Sequence, residues 1–280
     1  MALKSQSAME YLMTYGWAVL AIAIVIIALF QLGVFGGNNL TPHSTSGACQ
    51  AVHTAAGSSL AGQCNSAQPK FVGRFNGVNS YVQVSNFPFA PTTGFTFSAW
   101  ANTGTSSNYQ FFIGDSSANY RLGISPSRSI YVNFGDRNDQ NPPISLSVGT
   151  WYYLTMVGYI SSGTLHADIY VNGAYKTTLS TASTSFYGIS EPLRIGAADG
   201  PTYYVSGSIA DVQIYNTSLS SSEIASLYQE GIGGVPIDPS HIVGWWPLNG
   251  NAQDYSGDNN NGQAINVGYN STWSSGYVQP

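Results

Sequence analysis

From residue 70 onward the chain alternates short apolar segments with turn residues at nearly even spacing, and this cadence limits the available folds more than any other feature. FVGRFNGVNSYVQVSNF, GFTFSAWAN, FFIGD, YRLGI, SIYVNFGD, WYYLTMVGYI, LHADIYVNGAYKTTLS, PLRIGAAD and SIADVQIYN follow one another. Phe95, Phe97 and Ala99 show the period of two expected of a pleated strand, whose successive side chains face opposite ways. Asn172-Gly173 between two apolar runs predicts a tight hairpin, because both residues tolerate positive φ. One segment, SSSEIASLYQEG, changes period. Ser220 and Glu223 form a capping box, Ile224 shares a face with Leu227 or Tyr228, and Gly231 supplies the stop of a short helix. About ten strands with turn signals every 8–12 residues predict a mainly β protein, an antiparallel sandwich.

Charged residues make up only 8% of the 280, the net charge is −5, and no basic patch occurs, which argues against a nucleic-acid partner. Aromatics at 13% and recurrent strand patterns exclude intrinsic disorder. Ahead of the strands, Trp17 to Phe35 holds Gln31 as its one strongly polar residue. With its flanks the run reaches the length of about 20 residues that spans a bilayer as a helix. Lys4 precedes it and no further cation occurs before Lys70, so the N-terminus is expected in the cytoplasm and the rest outside. Residues 36–69 are small, polar and glycine-rich and read as a linker, with an edge strand at most. Cys49 and Cys64 fall within it and, in an oxidising compartment, are expected to pair.

The leader explains why Glu10 stands at the head of an apolar helix. Lys4-Ser5-Gln6-Ser7-Ala8-Met9-Glu10 resembles the class III signal of archaeal type IV pilin-like proteins. That resemblance implies a leader of residues 1–5, removed by a prepilin peptidase between Ser5 and Gln6, and a hydrophobic helix over 6–35. It also implies that Glu10, costly in hydrocarbon unless paired, serves assembly against a neighbouring pilin-like subunit. Small residues such as Gly16, Ala18, Ala21 and Gly33 would let the helices pack closely.

FNGVNSYVQV, FTFSAW, GTWYYLT, IYVNG, LRIGA and GSIADVQIYNTSLSSSEIASLY, in that order, resemble the laminin-G-like, concanavalin A-like jelly-roll family over residues 71–231. The domain is expected to run over 70–280. In the family a W-x-L-x-G-N-type strand and loop normally comes before the FNG strand, but WWPLNGNAQDYSGDNNNGQAINVGY stands here at 245–269. Residues 242–269 are therefore expected to fold back and supply the opening strand, as in a circular permutation; completion of a neighbouring subunit is the alternative.

The fold also hosts glycoside hydrolases, which need two carboxylates about 5–9.5 Å apart. No E-x-D-x-E cluster occurs, and Asp136 and Asp139 read as a loop, so no enzyme activity is expected. Calcium takes six to eight oxygens, and the NGNAQDYSGDNNNG loop supplies several. The family resemblance carries Asp211 and Asp254 over as candidate Ca²⁺ ligands. Trp100 and Trp151 read as core. Tyr203, Tyr204 and Trp246 are candidates for stacking on sugar rings, with Tyr109 and Tyr120 at similar loop ends. Asn39, Asn216 and Asn270 begin N-x-S/T sequons. The expectation is a cell-surface, pilin-like filament subunit or adhesin whose jelly-roll head contacts glycans. The alternative is a membrane-anchored carbohydrate-binding protein that does not polymerise.

Overall fold

A computed structural model of the protein describes residues 21–22, 52–53, 60–61, 68–135, 138–190, 192–198 and 202–280. The chain divides between residues 43 and 44 into two units, and of the first only Ala21 and Ile22, helical and exposed, are described. Ser5, Gln6, Glu10, Asn39, Cys49 and Cys64 lie outside the described residues, as does nearly all of the apolar run. Among the described residues no helix is long and apolar enough to cross a membrane. Within the linker, β1 (Val52–His53) and β2 (Leu60–Ala61) pair only with each other, so they edge neither large sheet.

The strands from residue 72 form two antiparallel sheets. They are β3 (Val72–Asn76), β4 (Tyr81–Val84), β5 (Phe95–Thr103), β6 (Gln110–Asp115), β7 (Tyr120–Ile124), β8 (Ile130–Phe134) and β9 (Trp151–Ser161). After these come β10 (Thr164–Val171), β11 (Ala174–Ser180), β12 (Leu193–Ile195), β13 (Ser206–Tyr215), helix α1 (Ser221–Glu230), β14 (Ile242–Trp246), β15 (Gln263–Ile265) and β16 (Gly268–Asn270). One sheet has the order β11-β10-β9-β5-β13-β3-β16, with β14 also on β13; the other has the order β15-β4-β12-β6-β7-β8. The β10–β11 hairpin turns at Asn172 and Gly173 with φ of 52° and 72°, the left-handed region that its sequence predicts.

The C-terminal segment is built into both sheets. β14 pairs with β13, β15 with β4 and β16 with β3, so 242–270 completes its own domain. β3 and β14 lie end to end along one side of β13, on Ser206–Ile209 and Val212–Tyr215 respectively. Between them β13 bulges, and Asp211 adopts φ +49° there, with its N–H donating to Pro247 O. Trp273 Nε1 donates to Pro69 O at 3.0 Å, so the end of the domain is tied to its beginning.

Two apolar layers hold the domain. Between the sheets lie Phe95, Phe97, Phe112, Tyr120, Met156, Ile214 and Trp246, all fully buried. Phe95 meets the Tyr120 ring edge-to-face at 5.0 Å, and Phe89 meets Phe97 likewise at 5.3 Å. Such pairs add about 0.5–1.5 kcal/mol beyond area burial. On the opposite side of the longer sheet, α1 and the chain end cover a second cluster containing Trp100, Trp151, Tyr153, Tyr215, Ile224, Leu227, Trp245 and Trp273. The capping box of α1 is present: the Glu223 N–H donates to Ser220 Oγ, and the Ser220 N–H donates to Glu223 Oε2 at 2.7 Å.

Candidate functional site

The sequence-predicted site residues do not gather in one place. Trp246 is fully buried between the sheets, where its ring packs on Phe87 and its Nε1 donates to Asn260 O at 3.0 Å. It cannot stack on a ligand. Trp245 points to the other side of the strand, as alternation requires, but that side is covered too: Trp245 is 2% exposed within the second cluster. Tyr120 is likewise core, with its hydroxyl donating to Tyr187 O. Asn216 is exposed, and Asn270 is half-buried in β16 with its Oδ1 accepting from Thr272.

Asp211 and Asp254 share a neighbour without forming a cation site. Asp211 is buried, and Oδ1 accepts from Trp245 Nε1 at 2.8 Å and from Gln213 Nε2 at 2.9 Å. Burial pushes its carboxyl up to about 7 against the lowering effect of those donors. Asp254 accepts from the backbone N–H groups of Trp245, Ser256 and Asn260 and from Ser256 Oγ, at 2.8–2.9 Å. A Ca²⁺ ion needs converging oxygens, whereas N–H and O–H donors converge here. The pair as arranged does not fit the ion, and among the described residues no group of three or more His, Cys, Asp or Glu is placed to hold a metal.

A more organised surface is the outer face of the six-stranded sheet. Its register places Gln263, Gln83, Arg194, Gly114, Arg121 and Asn133 in a single row across all six strands. All but Gln263 lie between buried residues, such as Leu193 and Ile195 around Arg194. A parallel row carries Phe111, Gly123 and Tyr131, and Ile265 pairs with Tyr81 at the other end of the face. The 202–204 segment adds two rings: Tyr203 edge-on to Phe111 at 5.8 Å, and Tyr204 beside Tyr81 at 6.2 Å. Tyr109 packs on Tyr131 at 4.6 Å. Tyr203 is 38% exposed and holds φ +54°, a strained conformation for an aromatic residue that positions its ring.

Charge on this face is fixed. Arg121 Nη1 bonds Asp139 Oδ1 and Oδ2 at 3.1 and 3.3 Å, and its guanidinium lies over the Phe111 ring at 5.4 Å. Asn133 Nδ2 donates to Asp139 at 3.0 Å, and Tyr131 also bonds that carboxylate. Burial and the Asp139 charge raise the Tyr131 phenol well above its ordinary range, so it remains a neutral donor. Below, Asp115 is raised by burial and accepts from Ser117 and from the Tyr120 N–H.

Residues 76–225 match the Laminin_G_3 family, the concanavalin A-like lectin/glucanases superfamily. The chain belongs to this family. Among solved structures it is similar to a protein of Bacteroides ovatus described as a candidate carbohydrate binding protein, at 17% identity and a TM-score of 0.58. That likeness covers 73% of this chain and 61% of the other, so the jelly roll spans about three fifths of its relative. A heptameric SAP-like pentraxin of Limulus polyphemus is more distant, at 14% identity and a TM-score of 0.45 over 63% of this chain and 87% of that one. No curated protein matches the chain. The family match and the Bacteroides ovatus likeness establish the fold alone.

Of the predicted ligand residues the structure brings Tyr203 and Tyr204 to that face, joined by Tyr109. It adds Tyr81, Phe111, Arg121, Tyr131 and Arg194, which the sequence reading left as strand positions. A signal for the arginines was present. Leu193-Arg194-Ile195 and Tyr120-Arg121-Leu122 each set a cation between residues bound for the core, in a chain holding eight cations altogether.

Proposed function

We propose that the jelly roll binds a glycan on the outer face of its six-stranded sheet. The observation that carries this reading is a set of partly exposed rings, Tyr81, Tyr109, Tyr131, Tyr203 and Tyr204, beside a row of hydrogen-bonding side chains on one sheet face. Sugar recognition calls for that combination: a ring face against which a pyranose can lie, and fixed polar groups to orient its hydroxyls. Asp139, the carboxylate at the end of the polar row, is held by Arg121, Asn133 and Tyr131, which suits it to positioning rather than to acid or nucleophile chemistry. The face is therefore read as a binding surface, not a hydrolase. The Asn216 sequon, exposed after β13, suits a glycosylated surface protein.

The leader and apolar helix complete the proposal: a pilin-like subunit, or filament adhesin, that carries this head outside the cell. Glycan-array binding by the protein in detergent tests the head. Tyr203→Ala with Tyr204→Ala should lower affinity about tenfold to a hundredfold, at roughly 1 kcal/mol per ring, while leaving Tm nearly unchanged. Array signals that survive the double variant would refute the assignment of this face. The mass of the N-terminal peptide tests the rest. A chain beginning at Gln6 in sheared surface material supports a processed subunit; one beginning at Met1, found only in membranes, supports a plain anchor.

A further inference from the structure

Arg194 occupies the middle of the polar row and is 6% exposed. Its guanidinium carries a fixed charge and five N–H donors in a planar fork. Nη1 donates to Ser116 Oγ and Nη2 to Gln83 Oε1 at 3.5 Å, while Nε is buried with no partner. No carboxylate stands within ion-pair distance of it among the described residues. Among the described residues the acids near this face are engaged elsewhere: Asp139 on Arg121, and Asp115 on Ser117 and the Tyr120 N–H.

Arg128 shows what a structural arginine looks like in this protein. It too lacks a carboxylate, but Nε donates to Leu146 O, Nη1 to Gly104 O and Nη2 to Thr103 Oγ1, so each nitrogen has a firm acceptor. Arg194 has a serine hydroxyl and one long contact to a glutamine amide, both on half-buried side chains that can turn aside. A buried charge left without a counter-charge is destabilising by itself. Its place in a row of otherwise neutral or paired groups, one diagonal step from Tyr81, points to a charge that arrives from outside.

Building on the glycan-binding reading, we propose that Arg194 receives the carboxylate of an acidic sugar, a hexuronic acid residue, whose ring lies on the Tyr81–Tyr204 side of the face. The planar fork matches a carboxylate bidentately, with Ser116 and Gln83 released from Arg194 to bond the same group or an adjacent hydroxyl. The site thus selects for acidic glycans over their neutral counterparts.

Isothermal titration of the full chain in detergent with the methyl glycosides of glucuronic and galacturonic acid, and of glucose and galactose, tests this. The wild type should bind a uronide about tenfold or more tightly than the matching neutral glycoside. Arg194→Gln should lose that preference, with uronide affinity falling further than neutral-glycoside affinity, and melt at or above the wild-type temperature without ligand, since it removes an uncompensated charge. Arg194→Lys, which keeps the charge but not the fork, should retain only part of the preference and serves if Arg194→Gln does not fold. Equal binding of uronide and neutral glycoside would overturn the inference and leave the glycan-binding reading standing. No binding by any of the four would overturn both. A large fall in Tm for both variants, or protection by sodium sulfate equal to that by uronide, would show a structural arginine or a general anion site and would also overturn it.

Discussion

Asp211→Asn should make the protein more stable at pH 8 than the wild type and slightly less stable at pH 4. Asp211 lies in the β13 bulge at φ +49°, a conformation that asparagine tolerates as well as aspartate, so the backbone survives the exchange. The side chain sits against Trp245 Nε1 and Gln213 Nε2 under α1, with Glu230 adding a repelling charge. Burial raises the carboxyl from 3.8 to about 7. In the unfolded chain the acid loses its proton near pH 4; in the folded protein it holds it until about pH 7. Between those values the folded state binds more protons than the unfolded state, so stability falls as pH rises, and beyond about pH 7 the loss is complete.

Three pH units at 1.36 kcal/mol each set the loss at about 4 kcal/mol, an upper limit because the site relaxes around the charge. Asparagine carries no such term. Its amide N–H₂ meets Gln213 Nε2, a donor against a donor, which costs about 1 kcal/mol at every pH. The variant should therefore cross the wild type between pH 4 and 7 and lead it by about 3 kcal/mol at pH 8. That lead is roughly 6–12 °C in Tm for a domain of this size. Differential scanning calorimetry at half-unit steps from pH 4 to 8 reads it directly. Glu230 and Asp115 are also raised by burial but remain in both proteins, so they largely cancel in the difference. Parallel curves for the two proteins would refute the reasoning: the donors on Asp211 would then outweigh its burial, and the acid would be ionised throughout.

Three further outcomes follow from the same packing. Asp254→Ala leaves the N–H groups of Trp245, Ser256 and Asn260 without their acceptor and should cost about 3 kcal/mol; calcium chloride should leave the wild-type Tm within about 1 °C, because nothing in that donor set gains from the ion. Ser220→Ala breaks the capping box of an exposed helix end and should cost about 1 kcal/mol by chemical denaturation. Ending the chain at residue 240 removes β14–β16 with buried Trp245, Trp246, Leu248 and Trp273. At about 2 kcal/mol or more each, these amount to most of a domain's stability, so size-exclusion chromatography and near-ultraviolet circular dichroism should show no native domain.

Much of the fold was legible because its signals are local. Asn172-Gly173, the Ser220–Glu223 box and the alternation of Phe95, Phe97 and Ala99 each depend on neighbours a few residues apart, and each element stands where they predict. The WWPLNG segment enters the same sandwich through β14, paired on β13, a contact between remote parts of the chain that no local period announces. Trp245 and Trp246 show the limit of alternation. A period of two tells that the rings face opposite ways, but not which of them enters the core or that the other face is roofed: Trp246, expected to stack on a sugar, lies between the sheets, and Trp245 is covered by α1 and the chain end. The burial of Asp211 under the same roof was hidden for the same reason.

The polar row was beyond such reading, because it depends on registers between strands that are remote in the chain. Gln83, Arg194, Gly114, Arg121 and Asn133 become neighbours only once β12 has slipped between β4 and β6, about 110 and 80 residues away from it along the chain. A shift of one residue in any of these pairings would send a guanidinium into the core. The apolar partners at Leu193, Ile195, Leu122 and Val132 therefore do two things at once. They anchor the sandwich, and by fixing the register they set the row of donors on the opposite face. The packing that makes the fold stable thus also places Arg194 without a counter-charge among the described residues, and the polar row is a consequence of the core.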